Sequence, residues 1–153
     1  MPAGQKPVIH EVIAYLRVRR APEAIGFYQK VFGAKELFRL SEPSGRVGHA
    51  ELEIGGVKLM LSDEYPEHDN PSPESLGGTT MAMYLQVDDV DQLMADAVAA
   101  GASIIDPAAD QFYGERSGKI RDPFGHQWKF SQTIEQVSIE EMQSRLEAIS
   151  KSA

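Results

Sequence analysis

His49, Glu51 and Glu53 occupy alternate positions of the segment HAELEI. In an extended chain their side chains share one face, and Ala50, Leu52 and Ile54 share the other. An imidazole beside a carboxylate can act as a base with the group that orients it. The same pair could hold a divalent metal with His10 or Glu11, or form only a polar cross-strand pair. Lys129 alternates with Trp128 and Phe130, so it projects away from those two rings. It could meet a ligand carboxylate or phosphate, or neutralise Glu51 or Glu53. Tyr113, Glu115 and Arg116 lie on a polar, Gly-flanked segment, where Arg116 could clamp an anion or serve as a surface arginine. His126 shares parity with Trp128, which favours a structural role on the apolar side or at a turn. There is no cysteine, so disulfides, thiolate metal sites and cysteine nucleophiles are excluded. Gly114 to Gly118 lacks the strand before and helix after that a phosphate loop needs.

The elements that must position these groups follow from periodicity. Ala14, Leu16 and Val18 mark a strand. Pro22 suits the first turn of a helix, and Ala24, Phe27, Tyr28 and Val31 form its apolar stripe up to Gly33. Glu36 to Leu40, His49 to Ile54 and Val57 to Leu61 read as strands, the last two joined by the hairpin signal Gly55-Gly56. Asp63 to Thr80, with three prolines, reads as a long connection that is either mobile or functional. The pattern then returns. Met83, Leu85 and Val87 mark a strand, and Asp89 to Ala100 a helix capped by Asp88 or Asp89 and stopped at Gly101. Ser103 to Ile105, Gly118 to Arg121 and His126 to Phe130 supply three more strands. Ser138 with Glu141 is a capping-box pattern opening an amphipathic helix with Ile139, Met142, Leu146 and Ile149 on one face.

The two halves are in register. Tyr15-Leu16-Arg17-Val18 matches Tyr84-Leu85-Gln86-Val87 at an offset of 69, and Gly56, Leu59, Leu61 and Ser62 match Gly125, Trp128, Phe130 and Ser131 at the same offset. The reading is α+β: two tandem β-α-β-β-β modules forming a curled mixed/antiparallel sheet cup, plus a C-terminal helix. The bounds are a tail at 1–7, modules at 8–64 and 81–133, a linker at 65–80, and the helix and tail at 134–153, all in one domain.

The chain has 153 residues with a net charge of −8, which argues against nucleic-acid and anionic-membrane partners. It has neither a signal-peptide pattern nor a run long and apolar enough to span a bilayer, so the expected location is cytoplasmic.

The segments YLRV, AIGFYQKVFGAKE, GHAELEIGGVKLMLSDE and YGERSGKIRDPFGHQWKFS resemble the vicinal oxygen chelate superfamily. That group holds glyoxalase I, extradiol dioxygenases and bleomycin-resistance proteins, and the motifs are most similar to its PhnB-like branch. The resemblance covers roughly Val8 to Ser131. It implies that one face of each sheet packs on the helix and the other lines a cavity, and that the protein is a homodimer or shares modules between subunits. It also implies metal-ligand positions at Ile13, Met60, Ala82 and Lys129. None of these suits a hard divalent cation. The expectation is therefore a small-molecule-binding protein without the usual metal and without another cofactor. The alternative is an isomerase, lyase or dioxygenase-type enzyme on a small oxygenated substrate, using His49 and Glu51 alone or with a displaced metal. A third possibility is a partner-binding homodimer whose C-terminal helix is the contact surface. On the cavity side fall Tyr15, Arg17, His49, Glu51, Glu53, Lys58, Tyr84, Gln86, Gln127 and Lys129. Tyr15, Arg17, Met60, Tyr84, Tyr113, Arg116 and Lys129 are the candidate ligand-binding residues, with Tyr15 and Tyr84 either stacking on a flat ligand or walling the cup.

Overall fold

A computed structural model describes residues 3–152. Module one comprises β1 (Tyr15–Val18), α1 (Ala21–Phe32), β2 (Lys35–Ser41), β3 (Val47–Ile54) and β4 (Val57–Asp63). Its sheet runs β1-β4-β3-β2, with β1 parallel to β4 and the other pairs antiparallel. Module two comprises β5 (Ala82–Gln86), α3 (Val90–Ala99), β6 (Ser103–Asp110), β7 (Glu115–Arg121) and β8 (Gln127–Thr133), in the matching order β5-β8-β7-β6. The duplication expected from the offset of 69 is thus the architecture. The two sheets remain separate four-stranded units, so β1 and β5 are each a free edge.

Local chemistry explains the elements. Pro22 lies in the first turn of α1, and the backbone N–H of Ala21 donates to Asp63 at 2.8 Å. A carboxylate from the end of β4 therefore does the work of an N-cap, since Arg20 makes no side-chain cap. The second oxygen of Asp63 accepts from the Val47 N–H at 2.7 Å. Gly33 closes α1 at φ 65°, a conformation that favours glycine. In module two Asp89 caps α3 by accepting from the Gln92 N–H, and Gln132 accepts from the Val90 N–H at 3.1 Å.

The helix-facing sides of both sheets share one core. Leu16, Val18, Leu59 and Leu61 join Ile25, Phe27 and Tyr28 of α1, and Ile120, Trp128 and Phe130 join Met94 of α3. The modules meet through aromatic rings: Phe32 lies 4.5 Å from Trp128 and 5.8 Å from Phe130. Asp122, 3% exposed, sits at this junction. It accepts from the Tyr28 hydroxyl at 2.6 Å, the Trp128 indole at 2.9 Å and the backbone N–H groups of Phe124 and His126. A buried carboxylate with four donors is compensated for its lost hydration. Its neighbour His126, buried as expected from its parity, reaches the Arg17 carbonyl at 2.8 Å.

Several boundaries differ from the sequence reading. β6 continues to Asp110, through Pro107, because it is the outer strand and needs no N–H there. The connection after β4 is ordered: it holds a 3-10 turn (Pro66–His68) and the short helix α2 (Pro73–Leu76). Glu64 holds it by accepting from the Ser72 N–H and the Ser75 hydroxyl. Pro73 packs so closely on Gly125 that a Cβ there would lie 2.8 Å away. The C-terminal helix α4 (Ile139–Ser152) opens with Ser138 accepting from the Glu141 N–H, as the capping box requires. None of its residues is buried, and Ile139, Leu146 and Ile149 are exposed.

Candidate functional site

Because the helix-facing sides share one core, the polar faces of the two sheets turn away from each other. Each carries its own cluster. On module one the strand register sets Tyr15, Met60, Glu51 and Phe38 in one row across four strands. A bulge in β2 between Glu36 and Phe38 puts Phe38 in that row, with its ring 5.7 Å from His49. The Tyr15 hydroxyl lies 2.7 Å from His49 Nδ1, and His49 Nε2 lies 3.3 Å from Glu51. Lys58 Nζ is 3.2 Å from the other oxygen of Glu51. Burial opposes ionisation of Glu51, but its bonds to His49 and Lys58 outweigh burial and hold the carboxyl below its usual range. The Arg17 guanidinium lies over the Tyr15 ring at 4.3 Å and donates to Ser62 at 2.6 Å.

On module two, Tyr84 and Lys129 are neighbours across β5 and β8. The Tyr84 hydroxyl donates to Glu115 at 3.0 Å, and Ser131 donates to the same carboxylate. Lys129 donates to the Tyr113 hydroxyl at 3.0 Å; that bond, against the opposing effect of burial, raises the affinity of the amine for its proton. Gln86 bonds Thr133 at 3.0 Å.

The structure therefore sorts the candidates into two groups. Tyr15, Arg17, Met60, His49 and Glu51 come together on one face, and Tyr84, Tyr113 and Lys129 on the other. Lys129 does not neutralise Glu51 or Glu53; Lys58 does so for Glu51, since Lys129 lies on the far module. Arg116 leaves the group. Its guanidinium spans Asp91 of α3 at 2.8 Å and Asp110 of β6 at 3.0 Å, so it braces the helix side. Ser62 and Ser131 were missing from the candidates, and Glu115, noted beside Tyr113 and Arg116, was given no role. The first two share the offset of 69 with the tyrosines, which is the signal that could have found them.

The metal positions implied by the resemblance do not fit a hard cation. Ile13 and Ala82 carry no donor atom, Met60 offers a thioether, and Lys129 keeps its proton. His10 and Glu11 are exposed ahead of β1. Among the described residues no three His, Asp or Glu side chains are placed to hold an ion. A concavity of about 740 Å³ opens between the modules; Phe32, Ile54, Leu59, Leu85, Leu93 and Trp128 wall it, and Lys58, Tyr84 and Gln86 of the two clusters also line it.

The likeness to known proteins agrees with this geometry. The uncharacterized protein Mb0911c of Mycobacterium bovis is 40% identical over 135 residues, covering 86% of this chain and 89% of that one. The crystal structure of an Arabidopsis thaliana gene product is 29% identical with a TM-score of 0.66, covering 81% of this chain and 99% of the other. A PhnB protein of Bacillus cereus shares the fold at 20% identity, with a TM-score of 0.67 over 81% of this chain and all of that one (100%). With two β-α-β-β-β modules and a family model matched over residues 9–130, the chain belongs to the Glyoxalase/Bleomycin resistance protein/Dioxygenase superfamily.

Proposed function

We propose that this protein binds a small oxygenated molecule on its polar sheet faces, as a homodimer, without a divalent metal or other cofactor, and that it does so in the cytoplasm. The observation that carries this reading is the pair of ordered polar clusters at matching places, where the metal-ligand positions hold Ile13, Met60, Ala82 and Lys129. A polar row that served only solvation would not need Glu51 at 8% exposure or a Lys129–Tyr113 bond. Each cluster covers one side of a ligand only. A second copy, setting its module-two face opposite a module-one face, supplies the other side and covers the free edges of β1 and β5. In that arrangement Lys129 and Arg17 supply positive charge to an anionic oxygen, and Tyr15 and Tyr84 supply the walls.

The test is sedimentation of the purified chain without a tag, followed by thermal shifts with small carboxylates, phosphonates and antibiotic-like compounds. The expected result is a dimer, stabilised by one compound class, with the shift lost in Lys129→Ala. A monomer with no shift from any compound, or one tightly held divalent ion per chain, overturns the reading.

A further inference from the structure

Both ring nitrogens of His49 are engaged, Nδ1 by the Tyr15 hydroxyl at 2.7 Å and Nε2 by Glu51 at 3.3 Å. The imidazole therefore has no nitrogen left for a ligand. Tyr15 does reach the open face, at 38% exposure, while Glu51 behind it is at 8%. We propose that Tyr15 is the group that exchanges a proton with the bound ligand, that His49 relays the proton, and that Glu51 orients the ring. This makes the module-one face a site of proton-transfer chemistry on an oxygenated carbon acid. The inference rests on the polar faces being the ligand site.

The arrangement works as follows. The Glu51 carboxylate, held ionised by its bonds to His49 and Lys58, accepts the Nε2 proton. That leaves the Nδ1 lone pair to accept the phenolic proton of Tyr15. When a ligand C–H bond breaks, its proton passes to the Tyr15 oxygen as the phenol's own proton passes to Nδ1. The electron pair stays on the ligand, and an adjacent carbonyl oxygen carries the charge. The imidazolium is balanced by Glu51. Reversal returns the proton to the same carbon or a neighbouring one, so the outcome is epimerisation or isomerisation with no oxidant or co-reactant. Arg17 lies over the Tyr15 ring at 4.3 Å and faces the same space. The groups facing Tyr15 are Arg17 on its own strand, His49 and Glu51 on β3, and Met60 on β4, with Lys58 behind Glu51.

The molecule carries its own control. Tyr84, the counterpart of Tyr15, donates to the Glu115 carboxylate. Burial and that carboxylate raise its pKa above the ordinary phenol value of 10.0. Tyr84 is the more exposed of the two, 51% against 38%, so access alone would favour it as a reactive phenol.

The test needs no knowledge of the ligand. The full chain is treated with phenylmethanesulfonyl fluoride, and labelling of each tyrosine is followed by peptide mass mapping. The phenol oxygen bonds to sulfur, fluoride leaves, and the proton goes to His49. The expected result is Tyr15 labelled at least about tenfold faster than Tyr84. The rate should fall as acid protonates imidazole, and should fall to the Tyr84 level in His49→Gln, with melting curves checking that the variant folds. The pH profile of the unaltered chain gives the same information if that variant does not fold. Tyr15 labelled no faster than Tyr84, or labelled at a rate indifferent to pH across imidazole titration, overturns the relay. No ligand is present in this experiment, so its failure removes the relay and leaves the binding reading intact. Failure of the compound screen does the reverse.

Discussion

In module one the phenol of Tyr15 meets an imidazole; in module two the phenol of Tyr84, at the matching position, meets a carboxylate. The strands around them have the same order and the same partners, so the scaffold cannot be the source of the difference. It lies in side chains that the scaffold leaves unconstrained. β3 carries His49 and Glu51, whereas β7 carries Ser117 and Lys119, and the carboxylate there comes from Glu115 at the strand's start. Where the duplicated positions serve the fold, they stay alike in duty. Asp63 and Gln132, again 69 apart, both accept from the first N–H of their module's helix. Duplication thus preserved the groups that place the helix and released the polar face for divergence.

The hairpin turns show the same contrast, and breaking it has the largest expected effect. Module one turns on Gly55 and Gly56, at φ 58° and 80°, with backbone alone. Module two turns on Asp122, Pro123, Phe124 and Gly125, with four donors on one carboxylate. Asp122→Ala strands a buried phenol and a buried indole, and should cost about 3–4 kcal/mol of stability in urea unfolding. A loss below about 1 kcal/mol would mean that the second turn, like the first, holds itself.

The ends of the inner strands give a smaller contrast. Glu64 follows β4, and its counterpart Thr133 ends β8. Burial works against the Glu64 charge, but Ser72, Ser75 and Arg19 outweigh it and hold the carboxyl at about 2, below its ordinary 4.5. A depressed carboxyl stabilises the fold above the ordinary value and stops doing so as pH falls from about 4.5 towards 2. The melting temperature should drop across that window, and Glu64→Gln should flatten the drop. After screening by solvent the share is about 1–2 kcal/mol.

Arg116 should matter least. Its two ion pairs involve carboxylates that are largely exposed. Arg116→Ala should leave the urea-unfolding midpoint almost unchanged and leave compound binding unchanged, in contrast to Lys129→Ala. Loss of binding in Arg116→Ala would return that residue to the ligand site.

The modules, helices and most strands were legible because each is written in local periodicity, and the offset of 69 confirmed them against each other. The inner and outer faces of His49, Glu51, Lys129 and Trp128 followed from alternation alone. Which polar residues meet was not legible. It depends on the two sheets sharing a core through Tyr28, Phe32, Trp128 and Asp122, contacts between distant residues that leave no periodic trace. The same distance removes one of the two alternatives for Lys129, neutralisation of Glu51 or Glu53. β6 was cut short because Pro107 reads as a strand breaker, and only its outer position in the sheet removes the objection. The ordered linker escaped notice because its order comes from Glu64 and Gly125 outside it, while its own composition reads as a loop.

The bond from Tyr28 to Asp122 spans 94 residues and ties the first helix to the last hairpin. A gene fragment stopping in the linker would encode every strand of module one and still lack the groups that receive Tyr28 and Phe32. Such a half should be recovered insoluble or as a dimer of halves, and should regain its native form when mixed with the complementary fragment. A free-standing ancestral module of this kind would have needed a copy of itself to cover that helix, so self-association would have preceded the fusion of the two genes.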